Sequence, residues 1–186
     1  MLPHLLHQFE RLENARTKLF TELQAGAEAS LHARPQPEAW SINEIIHHLV
    51  LAESFAVAYL EKKLDKVDTL SKVSWSAGLR SLLLSSAMHS PLKFKAPSPL
   101  VLPTAGLTLQ ALGAQWQSQR EKLRTLLTRV KPEMARLALY RHPVAGLLTV
   151  AQMLSFLETH YAHHEKQIAR ILATRAPAAS STTIAS

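Results

Sequence analysis

Four stretches of the chain place apolar residues three and four positions apart, which is the spacing of one face of an α-helix. These stretches cover about 3–25, 42–66, 107–130 and 149–173, and the strict alternation typical of strands is scarce. Several long amphipathic helices in one chain predict an all-α helical bundle. The residues predicted to face the core are Leu5, Leu6, Phe9, Leu12, Leu19 and Leu23, then Ile42, Ile45, Ile46, Leu49, Ala56 and Leu60, then Leu109, Leu112, Trp116, Leu123, Leu126 and Leu127, and finally Val150, Met153, Leu154, Leu157, Ile168, Ile171 and Leu172.

Two capping boxes mark the beginnings of the second and fourth predicted helices. In Ser41-Ile42-Asn43-Glu44 the serine side chain can accept from a free backbone N–H while the glutamate reaches back. Thr149-Val150-Ala151-Gln152 has the same pattern. Both helices should therefore begin at a defined residue.

The connections between these helices differ greatly in length. The segment 67–105, between the second and third predicted helices, has 39 residues. Because a structureless connection of that length is unusual in a compact domain, we predict a short helix at 74–87 within it. Four prolines at 91, 97, 99 and 103 then favour an extended strap over the surface. Segment 131–148 is predicted to be irregular. We expect one domain over 1–173 and a disordered, low-complexity tail over 174–186.

Composition narrows the class of protein. The chain has 186 residues, 47% of them hydrophobic, and contains no cysteine, so it has neither a disulfide nor a thiolate ligand or nucleophile of its own. No apolar run approaches the roughly 18 residues of a spanning helix, and the N-terminus lacks the basic region of a secretion signal. We therefore expect a cytoplasmic protein that does not enter the membrane.

The positive charge of the chain is dispersed. Lysine and arginine number 21 against 14 acidic residues, a net charge of +7, but the two signs are interleaved. Arg120, Arg124 and Lys131 share one helix face, which we interpret as a solvated face. Nucleic-acid binding, if present, should be weak and should be lost between low and moderate salt. Five glycines, none in a phosphate-binding loop, argue against a nucleotide-binding fold.

Five of the ten histidines fall in two clusters, His47-His48 and His160-x-x-His163-His164. At about 100° per residue, His160 and His164 lie within about 60° of the centre of the fourth apolar stripe, whereas His163 lies about 120° away. His48 lies at the edge of the second stripe and His47 lies further round. Two imidazoles four residues apart on one helix, joined by a third from another helix, can form a metal site in a bundle core. Buried, hydrogen-bonded core histidines are the alternative interpretation.

These clusters belong to longer motifs. Trp40-Ser41-Ile42-Asn43-Glu44-Ile45 with His48-Leu49 and Glu53 resembles the second helix of the DinB/YfiT-like superfamily. His142-Pro143, Gly146-Leu147-Leu148-Thr149, Phe156 and His160-Tyr161-Ala162-His163-His164-Glu165-Lys166-Gln167-Ile168 resemble its fourth helix and the turn before it. Lys93-Phe94-Lys95-Ala96-Pro97 is similar to a loop of some members. The resemblance covers residues 3–173 in order and spacing.

The resemblance implies an up-down four-helix bundle with a long irregular connection between helices two and three. It also implies a divalent metal held by His48, His160 and His164, the same three residues that helical phase favours. Zinc or nickel suits such all-nitrogen ligation. Relatives include thiol-dependent S-transferases and isomerases, and homodimers are common among them. We therefore expect a homodimer that acts on a small molecule, with a low-molecular-weight thiol as a candidate cosubstrate.

Three classes of function stay open from the sequence. The first is a metal-dependent enzyme, a hydrolase or a thiol transferase, whose ion activates water or a cosubstrate thiol. The second is a metal- or ligand-binding bundle without catalysis, and the third is a basic nucleic-acid-binding protein. Glu44, His163 and Gln167 are candidates for lining the pocket or orienting a ligand, although Glu44 is also explained by its capping box alone. The substrate is not encoded in any motif.

Overall fold

The computed structural model describes residues 1–73 and 101–175, and this part of the chain is predominantly helical. Its helices are α1 (Pro3–Gln24), α2 (Glu28–His32), α3 (Ile42–Leu64), α4 (Leu109–Thr128) and α5 (Val150–Ala173). The all-α class is confirmed, and the four long helices match the predicted stretches to within two residues at every end. The helix predicted for 74–87 and most of the proline-rich strap lie outside the described residues, as does the tail from 176.

Capping explains where α3 and α5 begin. Ser41 accepts a hydrogen bond from the N–H of Glu44 while the Glu44 carboxylate accepts from the N–H of Ser41. Thr149 and Gln152 form the second reciprocal pair. Each pair satisfies backbone donors that the first helical turn would otherwise leave without partners.

The four long helices pack in a closed ring, with α1 and α3 each contacting both α4 and α5. The core has two halves. One half contains the first part of α1 and α5 with the last part of α3 and α4, and the other half contains their opposite ends. The helix directions are therefore up, down, down, up. This differs from the alternating up-down order that the resemblance implies, because α3 and α4 run in the same direction. The connection between α3 and α4 therefore joins opposite ends of the bundle.

The segment before α5 contains a small antiparallel hairpin that the sequence pattern did not predict. Strands β1 (Tyr140–His142) and β2 (Gly146–Leu148) pair with Tyr140 opposite Leu148. Each strand has three residues, which is too short for a periodic pattern to be visible. The hairpin contacts α3 and α5 and buries Tyr140, His142 and Leu148. The prediction of an irregular passage was therefore wrong at 140–148.

All but two of the predicted core residues are buried. Leu6 and Leu172 lie at the edges of their stripes and remain 37% and 39% exposed. Arg120, interpreted above as part of a solvated face, is buried instead, and the reason is a carboxylate from a neighbouring helix. Within the described residues no helix is both long enough and apolar enough to cross a bilayer.

Candidate metal centre

The first part of the site is the N-terminal half of α3, which carries His48. The capping box fixes the start of the helix, and His48 follows two turns later with its side chain buried. The indole of Trp40, just before the helix, packs on the imidazole with ring centroids 5.0 Å apart. His48, at the edge of the apolar stripe, is thereby enclosed from the side.

His160 and His164 come from the middle of α5, one turn apart on the buried face. Their ring centroids are 4.8 Å apart, and the His48 ring lies 5.0 Å from His160 and 4.9 Å from His164. The contact between α3 and α5 brings the three imidazoles together, as helical phase predicts. His163 lies further round the helix and is partly exposed, with its ring 5.1 Å from that of His164.

The ring nitrogens of the three histidines converge. One nitrogen from each of His48, His160 and His164 lies within 4.8 Å of the other two. Nε2 of His48 and Nε2 of His160 lie 3.1 Å apart. Two imidazole lone pairs repel, so this approach requires a proton or a cation between the nitrogens. Nitrogens bonded at 2.0–2.1 Å to one tetrahedral zinc ion lie about 3.3 Å apart, so the spacing suits a shared ion.

Hydrogen bonds on the far side of two rings fix which nitrogen is free. Nδ1 of His48 lies 2.7 Å from the carbonyl oxygen of Val101, so this nitrogen carries the proton. Nδ1 of His164 likewise donates to Oε1 of Gln167 at 3.0 Å. In both rings Nε2 is left with its lone pair. Outer partners of this kind commonly orient metal-binding histidines.

The three imidazoles are uncharged near neutral pH. Burial lowers the pKa of His48, lowers the pKa of His164 to about 3, and holds the pKa of His160 well below its ordinary value. The neighbouring imidazoles lower the pKa values further because two adjacent positive rings would repel each other. Neutral rings are the form that binds a cation, so the donor set fits a divalent metal.

The other candidate residues take different places. Gln167 contacts His164 as described above. Glu44, by contrast, is occupied by its capping box and by the guanidinium of Arg34. Burial opposes ionisation of Glu44, but hydrogen bonds from Arg34 and Ser41 outweigh it and hold the pKa of the carboxyl below its usual value. The Nδ1 of His48 is bonded instead to the carbonyl of Val101, which no side-chain pattern could have indicated.

His47 is also buried, although the apolar pattern placed it away from the core. Its Nδ1 accepts a hydrogen bond from the N–H of Thr104 at 3.1 Å. Adjacent histidines therefore hold the two ends of segment 101–104 against α3, His47 through Thr104 and His48 through Val101. This segment supplies both the cover over His47 and the acceptor for His48.

A histidine from the hairpin extends the aromatic wall of the site. His142 is buried, and its ring centroid lies 4.4 Å from that of Phe156 on α5. Phe156 in turn stacks on His160, with centroids 5.4 Å apart and planes 12° from parallel. His142 and Phe156 belong to the motifs quoted above, but the apolar periodicity alone does not indicate a role for either residue.

A helical bundle with a buried three-histidine cluster shared between two helices defines a class of candidate metalloproteins. The family model of the DinB superfamily matches residues 8–168, and the chain belongs to that superfamily. The chain is also similar to the uncharacterized protein YuaE of Bacillus subtilis, with 26% identity over 157 residues, 84% of this chain and 92% of that protein. No solved structure gives a significant match.

Proposed function

We propose that this protein binds one divalent cation through His48, His160 and His164 and uses it in the chemistry of a small-molecule substrate. The observation that supports this most directly is the convergence of three buried ring nitrogens within 4.8 Å of one another. Zinc or nickel is the ion we expect, because the donors are all imidazole nitrogens. Membership of the DinB superfamily is consistent with this assignment.

When bound, a divalent ion at three neutral ligands acts as a Lewis acid that favours the ionised form of a water or thiol ligand. The chain's own residues prepare the site for it. Val101 and Gln167 hold the tautomers of His48 and His164, so that both Nε2 atoms present lone pairs. Burial keeps the imidazoles neutral, and the rings of Trp40 and Phe156 flank His48 and His160.

The same features favour an open site over a closed structural one. Structural zinc sites have four protein ligands and commonly include cysteine, which this chain lacks. Within residues 1–73 and 101–175, the only group of three or more potential metal ligands that converges is the histidine triad. A three-residue donor set leaves at least one position for a substrate, so we propose a hydrolase or a thiol-dependent transferase. From the family resemblance we also propose a homodimer.

The test compares two single variants. His160→Ala should abolish stoichiometric binding of zinc or nickel, whereas His163→Ala should largely retain it, because only the first side chain is part of the converging group. Elemental analysis after purification without chelator and titration with each metal give the stoichiometry. Equal loss of metal in both variants would show that the ligand assignment is wrong.

A second experiment separates catalysis from binding alone. The metal-loaded protein is assayed with low-molecular-weight thiols and electrophiles, and with activated esters and amides, with His160→Ala as the inactive reference. Turnover that follows metal content supports an enzyme. A fully loaded protein with no turnover on any substrate class favours a binding module instead.

A further inference from the structure

His160 differs from His48 and His164 in what holds its ring. The other two imidazoles each donate from Nδ1 to a fixed oxygen. Among the described residues, His160 forms its hydrogen bond with Nε2 of His48. Within the described residues no acceptor fixes its Nδ1, so the restraint that this part of the chain places on the ring comes from packing.

The packing partner is Phe156, one helical turn earlier on α5. Residues four apart on a helix lie one above the other, so their side chains can make contact. Here the two rings are nearly parallel, 12° apart, with centroids separated by 5.4 Å. A tilt of the imidazole would have to break this stacking. Phe156 therefore restricts the plane in which the nitrogen lone pair of His160 lies.

Phe156 is itself held by the hairpin. His142 packs against it edge to face at 4.4 Å, and Tyr140 stacks on it at 6.3 Å. The ring of His142 is fixed because its Nδ1 accepts hydrogen bonds from the backbone N–H groups of Val144 and Ala145, at 3.1 and 3.0 Å. The turn of the hairpin thus orients His142, which contacts the ring that stacks on His160.

We propose that Phe156 is a positioning residue for His160, and that the β1–β2 hairpin acts on the metal centre through it. This inference depends on the proposed function only in taking His160 as a metal ligand. Outer residues that orient a ligand typically change metal affinity by 10- to 100-fold when they are replaced. We expect an effect of that size from loss of the Phe156 ring.

The experiment compares Phe156→Leu, which keeps an apolar side chain but removes the ring, with Phe156→Tyr, which keeps the ring. Phe55→Leu is the matched control, because Phe55 is an aromatic residue of α3 that is 43% exposed. Each variant is titrated with Co²⁺, whose visible spectrum reports ligand geometry. Phe156→Leu should bind Co²⁺ about 10- to 100-fold more weakly with an altered spectrum. Phe156→Tyr and Phe55→Leu should match the parent protein.

A second measurement does not need the metal. In chelator-treated protein, the ring ¹⁵N and ¹H signals of His160 should be sharp in the parent and in Phe156→Tyr, and broadened or averaged in Phe156→Leu. Unchanged signals and unchanged Co²⁺ binding in Phe156→Leu would overturn the inference. If the parent protein itself binds no Co²⁺, the proposed function fails, and the ring signals alone then decide whether Phe156 positions His160.

Discussion

Replacement of Arg120 by methionine should destabilise the protein strongly, because it breaks a buried ion pair. The Arg120 side chain is 2% exposed, and its Nε lies 2.5 Å from Oε1 of Glu53, which is 4% exposed. Oε2 of Glu53 accepts a hydrogen bond from the indole N–H of Trp116 at 2.9 Å. Glu13 of α1 approaches Nη1 of Arg120 at 3.3 Å. One charge cluster therefore joins α1, α3 and α4.

The size of the destabilisation follows from the groups that stay buried after Arg120 is replaced. Without Arg120, the carboxylate of Glu53 stays buried, and among the described residues the indole N–H of Trp116 is its remaining partner. Removal of one member of a buried pair typically costs about 3–5 kcal/mol. The contact is close but poorly aligned as a hydrogen bond, so most of its effect is electrostatic. The double variant Arg120→Met, Glu53→Gln removes both charges and keeps an acceptor for Trp116. The free energy of unfolding of this double variant should be much closer to that of the parent protein than the value for Arg120→Met.

Urea denaturation of the four proteins of this double-mutant cycle measures the coupling between the two residues. Arg124→Met is the matched control, because Arg124 is an exposed arginine one turn further along α4. This replacement should change the free energy of unfolding by no more than about 0.5 kcal/mol. A loss below about 1 kcal/mol for Arg120→Met, or additive costs in the double variant, would refute the electrostatic explanation.

Two further predictions concern the metal and the pH dependence of stability. Removal of metal by a chelator should lower the Tm modestly and leave the helical circular dichroism signal nearly intact, because both halves of the core consist of apolar side chains other than the three histidines. Loss of most of that signal at 25 °C would instead make the site structural. Burial lowers the pKa of His142 to about 4, whereas the pKa of an unfolded histidine is about 6.5. The neutral, buried ring therefore contributes its full stabilisation above pH 6.5, and this contribution is lost as the pH falls towards 4. His142→Asn keeps an acceptor for the turn but does not titrate. The urea midpoint of this variant, measured after chelator treatment, should therefore fall less steeply between pH 6.5 and 4 than that of the parent protein. Equal slopes for the two proteins would contradict this explanation.

The helices and the histidine pair on α5 could be predicted from the sequence because both depend on local geometry. A capping box acts within four residues, and a spacing of four residues places two side chains on one face of any helix. Once α5 forms, His160 and His164 therefore lie on the same buried face, and His163 cannot lie on that face. The inward phase of the apolar stripe then indicates which side of α5 meets the rest of the protein.

Features that depend on distant partners could not be predicted in this way. Arg120 lies four residues after Trp116 and three before Leu123, on the apolar face of its helix, and it was interpreted as solvated because of its charge. It is buried because Glu53 of another helix compensates that charge. His47 is buried because segment 101–104 covers it. The shared direction of α3 and α4 appears only in the packing of the two core halves, since a long connection permits either direction.

The sequence by itself determined the all-α class, the helix boundaries and the candidate ligands, because periodicity, capping and spacing are properties of short stretches of chain. Only the tertiary structure decided how the site is built: the backbone carbonyl of Val101 orients His48, and the hairpin reaches His160 through Phe156. A carbonyl group is present at every residue and strands of three residues carry no period. Their roles are therefore set by contacts between distant parts of the chain.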